Sequence, residues 1–254
     1  MVVDVDKNSA LAWSVDEVLR RYHKLHNGTL LTQKFVKGDT LSPGETSSFA
    51  ETVEIYRNRL YDISWFMRDL NEYIAREANK EDGCTGRFWE GRFKSQALLD
   101  DGAIPACMAY VDLNPNPART PDTARHTSIK KRLKAVRNGK PQPDTLFPFI
   151  SSYKQDMPKG IAFHLQGYCE LVDMAGRCIR EGKGGYIDSS QSPILERLGL
   201  ASDQWLALTT EFEKHFCYAA GSELMMKEFK THTKHKRLRG MGTARALLNH
   251  AEAT

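Results

Sequence analysis

Pro105 and Pro115 frame the apolar stretch AIPACMAYVDLNP and limit it to one short helix. A proline fits the first turn of a helix, where its missing N–H has no intrahelical partner, and it drives the residue before it out of the helical region. The helix is therefore expected to open just before Pro105, capped by Asp100 or Asp101, and to stop at Pro115. Tyr110 and Asn114 are four residues apart and share one face of it. The pair reads either as a half-buried tyrosine with an asparagine closing the helix, or as a hydroxyl and an amide offered to the same ligand. Upstream, residues 87–98 alternate as a strand does. Trp89, Phe93 and Ala97 fall on one side, and Phe88, Glu90, Arg92, Lys94 and Gln96 on the other. The second face would present the cations Arg92 and Lys94.

Elsewhere the pattern is helical. Ser14-x-x-Glu17 is a capping sequence ahead of Leu19, Tyr22 and Leu25, with Asn27-Gly28 as the stop. His23 and His26 lie on one face of that helix, spaced for a metal pair but without a third ligand nearby. Residues 36–48, rich in Gly, Pro, Ser and Thr, read as a loop. A helix over 51–61 and another starting at Asp62 or Ser64 follow. The stripe Ile63, Phe66, Met67, Leu70, Ile74 and Ala78 of the second would be a core layer over the strand at Arg87. A basic helix holds Lys130, Lys131, Arg132, Lys134 and Arg137. The three prolines of 138–148 mark a linker. From Gly160 an apolar helix face carries Phe163, Leu165, Tyr168, Leu171 and Val172. A short helix starts at Ser192-Pro193 and stops at Gly199. A longer one is capped by Ser202 and stopped by Gly221. The last two form a weak helix-turn-helix signal. Near the C-terminus Lys227, Lys230, Lys234, Lys236, Arg237 and Arg239 gather around one acid, Glu228.

Composition excludes little. The chain has 254 residues, a formal charge of +4, and 41% hydrophobic and 27% charged residues, which is ordinary for a globular protein and compatible with nucleic acid. No apolar run reaches the ~18 residues of a membrane helix, so no membrane partner is expected. The five cysteines are scattered and odd in number, which fits reduced thiols in the cytoplasm.

The phrases GRFWEGRFKSQALLD and ACMAYVDLNPNPA resemble the REP-associated tyrosine transposases, relatives of the single-tyrosine HUH transposases of bacterial insertion sequences. The likeness runs from about Trp13 onward and is densest from Ser64 to Leu133. The resemblance implies that Tyr110, in a Tyr-x-x-x-Asn-Pro pattern, is a nucleophile. It also implies that Asn114 is the third ligand of a divalent metal, Mg²⁺ or Mn²⁺. The family's function would be DNA transposition: binding hairpin or single-stranded DNA, then cleaving and joining strands through a 5′-phosphotyrosine. Arg92, Lys94 and the basic run, Lys234, Lys236 and Arg237 in particular, would hold phosphates. Dimers are common in the wider group, so a homodimer is a further expectation. Asn116-Pro117 stands where the family has an apolar residue and an arginine.

The family holds its metal with a His-apolar-His pair, and none of the eight histidines here is two residues from another. The pattern looks like a family member without its first third, as a late start codon, a frameshift or decay would each leave it. The fold class expected is thus α+β. An incomplete ferredoxin-like HUH domain would cover 1–137, a linker 138–159, and a helical, candidate DNA-binding region 160–254. The alternative to an enzyme is a catalytically inactive DNA-binding fragment or a decayed remnant.

Overall fold

The computed structural model describes residues 1–114, 127–150, 159–180, 193–234 and 236–248. Its contacts divide the chain into two compact units, Val3–Lys94 and, with the first two residues, Ser95–Thr254. The expected segments 1–137, 138–159 and 160–254 place no boundary at Lys94.

The smaller unit is helical throughout its regular structure: α1 (Lys7–Ala12), α2 (Val15–Tyr22), α3 (Leu30–Lys37), α4 (Pro43–Leu60) and α5 (Ile63–Glu81). Its core is the seam of α2 and α4, where Val18, Leu19 and Tyr22 meet Phe49, Val53 and Tyr56. The rings of Tyr22 and Tyr56 stack with centroids 3.6 Å apart, and the Tyr56 hydroxyl accepts from Thr29 N–H at 2.9 Å. Arg57 closes the end of α1 by donating to the carbonyls of Ala10 and Trp13.

Several sequence expectations are corrected in this unit. Residues 36–48 are not a loop: their turn-forming residues end one helix and begin the next. Gly38, at φ 84°, ends α3 in the left-handed conformation that glycine adopts without strain. Ser42 and Glu45 cap α4 reciprocally around Pro43. Helix α2 stops at Tyr22, short of Asn27-Gly28, and Leu25 is exposed. Asp62 does cap α5, but the apolar stripe on α5 is not a core layer. None of its residues is buried and Phe66 is exposed, because the strand it was to cover does not form. Residues 87–96 have no regular structure, and Phe88 and Trp89 are exposed.

The larger unit contains β1 (Ala97–Leu98), α6 (Ala103–Leu113), α7 (Ser128–Arg137), α8 (Leu165–Arg180), α9 (Pro193–Leu198), α10 (Ser202–His215), β2 (Ala219–Ala220), α11 (Glu223–Thr231) and α12 (Met241–Leu247). The two strands pair in parallel, Ala97 with Ala219 and Leu98 with Ala220, and they are the sheet found among the described residues. The expected α+β, ferredoxin-like class is therefore overturned: the described chain is mostly helical. Alternation over 87–98 misled because its aromatic and basic residues suit an exposed irregular segment equally well.

Helix α6 packs along α10, and Trp205, Leu208 and Phe212 of α10 are buried with Ala106, Ala109 and Leu113 of α6. The face read on α8 is buried as expected at Tyr168, Leu171 and Val172. Gly199, at φ 61°, turns the chain between α9 and α10. Ala201, not Ser202, precedes the first turn of α10, and Gln204 accepts from its N–H at 2.9 Å. That helix ends at His215, well before Gly221. Its aromatic residues Trp205 and Phe212 are buried in the core.

Two carboxylates fix the ends of α6. Asp100 accepts from Gly102 and Ala103 N–H at the start of α6, at 3.1 and 2.9 Å, and from Ser222 N–H ahead of α11. Gly221 permits this approach, since a Cβ there would lie 2.9 Å from both Asp100 Oδ2 and Leu99 Cβ. Near the other end Asp112, 3% exposed, accepts from Tyr168 O–H at 3.0 Å, Ser128 O–H at 3.0 Å and Ile129 N–H at 3.4 Å. It joins α6 to α8 and to the first turn of α7. Arg132 reaches from α7 to the Phe147 carbonyl and to Gln142, whose amide brackets the Phe149 backbone. The segment expected as a linker is thus packed where it is described, with Phe149 and Ile150 buried.

Burial pushes the Asp112 carboxyl upward against its hydrogen bonds to Tyr168, Ser128 and Ile129. The folded state then holds this proton more tightly than the unfolded chain, so stability falls as pH rises past the unfolded value of ~3.9. Asp112→Asn, which keeps an acceptor for Ile129, is expected to lose less stability at pH 7 than at pH 4.5, read from urea midpoints. Asp112→Ala strands the Tyr168 hydroxyl and is expected to lose about 1–3 kcal/mol at neutral pH. Equal Asp112→Asn losses at both pH values would disprove the assigned shift.

Candidate functional site

The outer face of α6 carries Cys107, Tyr110 and Asn114 at i, i+3 and i+7, the spacing that places them in one row. Asn114 ends the helix and donates from Nδ2 to the Tyr110 hydroxyl oxygen at 3.1 Å. The two residues singled out by their spacing are thus in direct contact, the amide exposed and the tyrosine half-buried. Helix α10 supplies the other wall. Its Phe212 ring stacks beside Tyr110 with centroids 6.1 Å apart, and its Glu213 carboxylate faces both the hydroxyl and Cys107.

This environment keeps the Tyr110 hydroxyl protonated. Burial raises its pKa first, and the negative charge of Glu213 adds to the rise. The Cys107 thiol is pushed up to about 11, again chiefly by burial. A tyrosine nucleophile needs a lowered pKa, an adjacent base that takes its proton, or a metal ion. Pro115 and Asn116-Pro117 lie outside the described residues.

The donors here do not match the metal centre that the resemblance implies. Around Tyr110 the described residues place the Glu213 carboxylate and the Cys107 thiol. No three His, Cys, Asp or Glu side chains come together among the described residues. His23 and His26 do not form a pair: His23 meets the Thr32 hydroxyl at 3.2 Å and His26 meets Asp69 at 3.0 Å.

The candidate cations are spread over both units. Arg92 and Lys94 are exposed in the irregular end of the smaller unit rather than on a strand face. Lys234, Lys236 and Arg237 are exposed between α11 and α12. Of the wider basic run, Lys227 pairs with Glu223 at 2.9 Å, not with Glu228. Arg245 grips the same Glu223 with two hydrogen bonds, holding its carboxyl at about 2. Helix α7 is denser. Lys130, Lys131, Lys134 and Arg137 are exposed on it, it contains no acid, and Lys130, Leu133, Lys134, Arg137 and Asn138 line an open groove.

Sequence reasoning missed Glu213 and Phe212, which reach Tyr110 from a helix about a hundred residues later. Cys107 was legible, since it stands one turn before Tyr110 on the same face. No protein-family model matches the chain, and neither a curated protein nor a solved structure is similar to it.

Replacing Glu213 with glutamine removes the charge and keeps the volume. The Tyr110 pKa is expected to fall toward the ordinary value of ~10. Tyrosinate absorbance, taken as the difference between each protein and its Tyr110→Phe counterpart, reads this directly. An unchanged titration would remove Glu213 from the site.

Proposed function

We propose that this chain binds single-stranded or hairpin DNA, as the tyrosine transposases it resembles do, and that it holds the strand without cutting it. The observation that supports binding is α7, a helix without an acidic residue on which Lys130, Lys131, Lys134 and Arg137 are exposed, three of them along a groove. Asp112 and Arg132 pin this helix to the core, so its charges project from a rigid base. Phosphates are the natural ligands of such a surface, and contacts to them carry affinity without sequence information. Lys234, Lys236 and Arg237 would extend the contact.

What supports binding without cleavage is the state of Tyr110. Its hydroxyl is half-buried beside a carboxylate, which raises the pKa of the group that must attack a phosphate. The second reading, strand transfer through a phosphotyrosine on Tyr110, draws on the Tyr110–Asn114 contact. It requires a divalent ion, and among the described residues no three His, Cys, Asp or Glu side chains gather to hold one.

Fluorescence anisotropy with a labelled single strand and a labelled hairpin, across a salt series, tests the proposal. Replacing Lys130, Lys134 and Arg137 together with alanine should flatten the slope of log affinity against log salt by roughly two units on single strands, at about 0.7 per contact. Replacing Lys234, Lys236 and Arg237 should do the same if they share the strand. No binding at low salt would end the DNA reading. With Mn²⁺ present, a covalent protein–DNA adduct lost in Tyr110→Phe and in EDTA would replace it with the strand-transfer reading.

A further inference from the structure

We infer a phosphate-binding subsite in the smaller unit, built on the ring of Trp65. The guanidinium carbons of Arg59 and Arg68 lie 4.0 and 4.7 Å from the centre of that ring. This contact holds a guanidinium by its π face and leaves its N–H edge available. Arg59 is half-buried and uses one N–H, donated to the Tyr22 hydroxyl at 2.8 Å. Neither Arg59 nor Arg68 pairs with a carboxylate among the described residues. The other helical arginines of this unit do: Arg20 and Arg21 with Glu17, Arg57 with Glu54, and Arg76 with Glu72. Two guanidiniums are therefore held in place by an aromatic ring, with most of their donors uncommitted.

Arg59 and Trp65 line a small pocket with Arg21, Tyr22, His26, Leu60 and Asp69, and Arg68 meets the same Trp65 ring without lining it. The acid among these, Asp69, is engaged by His26 at 3.0 Å. A tetrahedral anion suits such a place, since each guanidinium can give two parallel hydrogen bonds to phosphate oxygens. A nucleobase suits it less, because guanidiniums already occupy the Trp65 ring. The pocket is too small for a whole nucleotide, and the backbone phosphate of a single strand is the source we assign. That source, though not the site, rests on the DNA-binding reading above.

The indole N–H signal of Trp65 in proton–nitrogen spectra, identified by its loss in Trp65→Phe, reports on the subsite. Inorganic phosphate should shift it where chloride at equal ionic strength does not, and Arg59→Gln/Arg68→Gln should abolish the shift. Arg68→Gln alone, which touches only the ring, should weaken phosphate severalfold even if the loss of Arg59 from Tyr22 unsettles the fold. A single strand should shift the same signal, and the double variant should reduce its salt slope by about 1.4 units, two contacts at about 0.7 each. Arg76→Gln, whose guanidinium pairs with Glu72 and does not line the pocket, should change neither readout. A shift with phosphate but not with DNA assigns the site to small phosphate esters and leaves it standing. No shift with either, while the protein still binds DNA elsewhere, overturns the subsite and spares the DNA reading.

Discussion

Asp112 has three hydrogen-bond donors around it and almost no contact with water, and the placement of α7 follows from this. A buried carboxylate is unfavourable unless its oxygens are paired. Here they are paired by the first turn of one helix and by the Tyr168 hydroxyl of another. Removing the carboxylate would leave a buried hydroxyl unpaired and would free the start of α7. The same helix, α6, carries Asp112 inward and Tyr110 and Asn114 outward. One short helix thus organises the core on one face and the candidate site on the other.

The candidate site combines a recognisable row of side chains with an environment that works against its chemistry. Asn114 touches the Tyr110 hydroxyl, as the four-residue spacing on a helix allows. Glu213 and partial burial then raise the energy of the tyrosinate that a nucleophile requires. The exposed lysines of α7 face no such conflict, since exposed cations are well solvated.

The smaller unit shows a different use of arginine. Most of its helical arginines satisfy acids one turn away, which contributes little at an exposed surface. Arg59 and Arg68 instead rest on an indole, which orients them without neutralising them. This distinction lies in what the guanidinium touches, and the count of arginines does not reveal it.

Local chemistry in the sequence determined the helix with Pro105 in its first turn, the caps at Ser14 and Asp62, the turn at Gly199, and the buried face of α8. It also placed Tyr110 beside Asn114, because four residues on a helix make one turn. Each of these depends on neighbours within a few positions. Alternation over 87–98 could not determine a strand, because a strand needs a partner, and only Ala97 and Leu98 find one, in Ala219 and Ala220. The stripe on α5 likewise could not show whether anything lies over it. The fold class, the approach of Glu213 to Tyr110, the burial of Asp112 between three helices and the seating of Arg59 and Arg68 on Trp65 were decided by tertiary structure. All but the Trp65 stack join residues far apart in the chain, and that stack depends on how side chains settle at the junction of two helices.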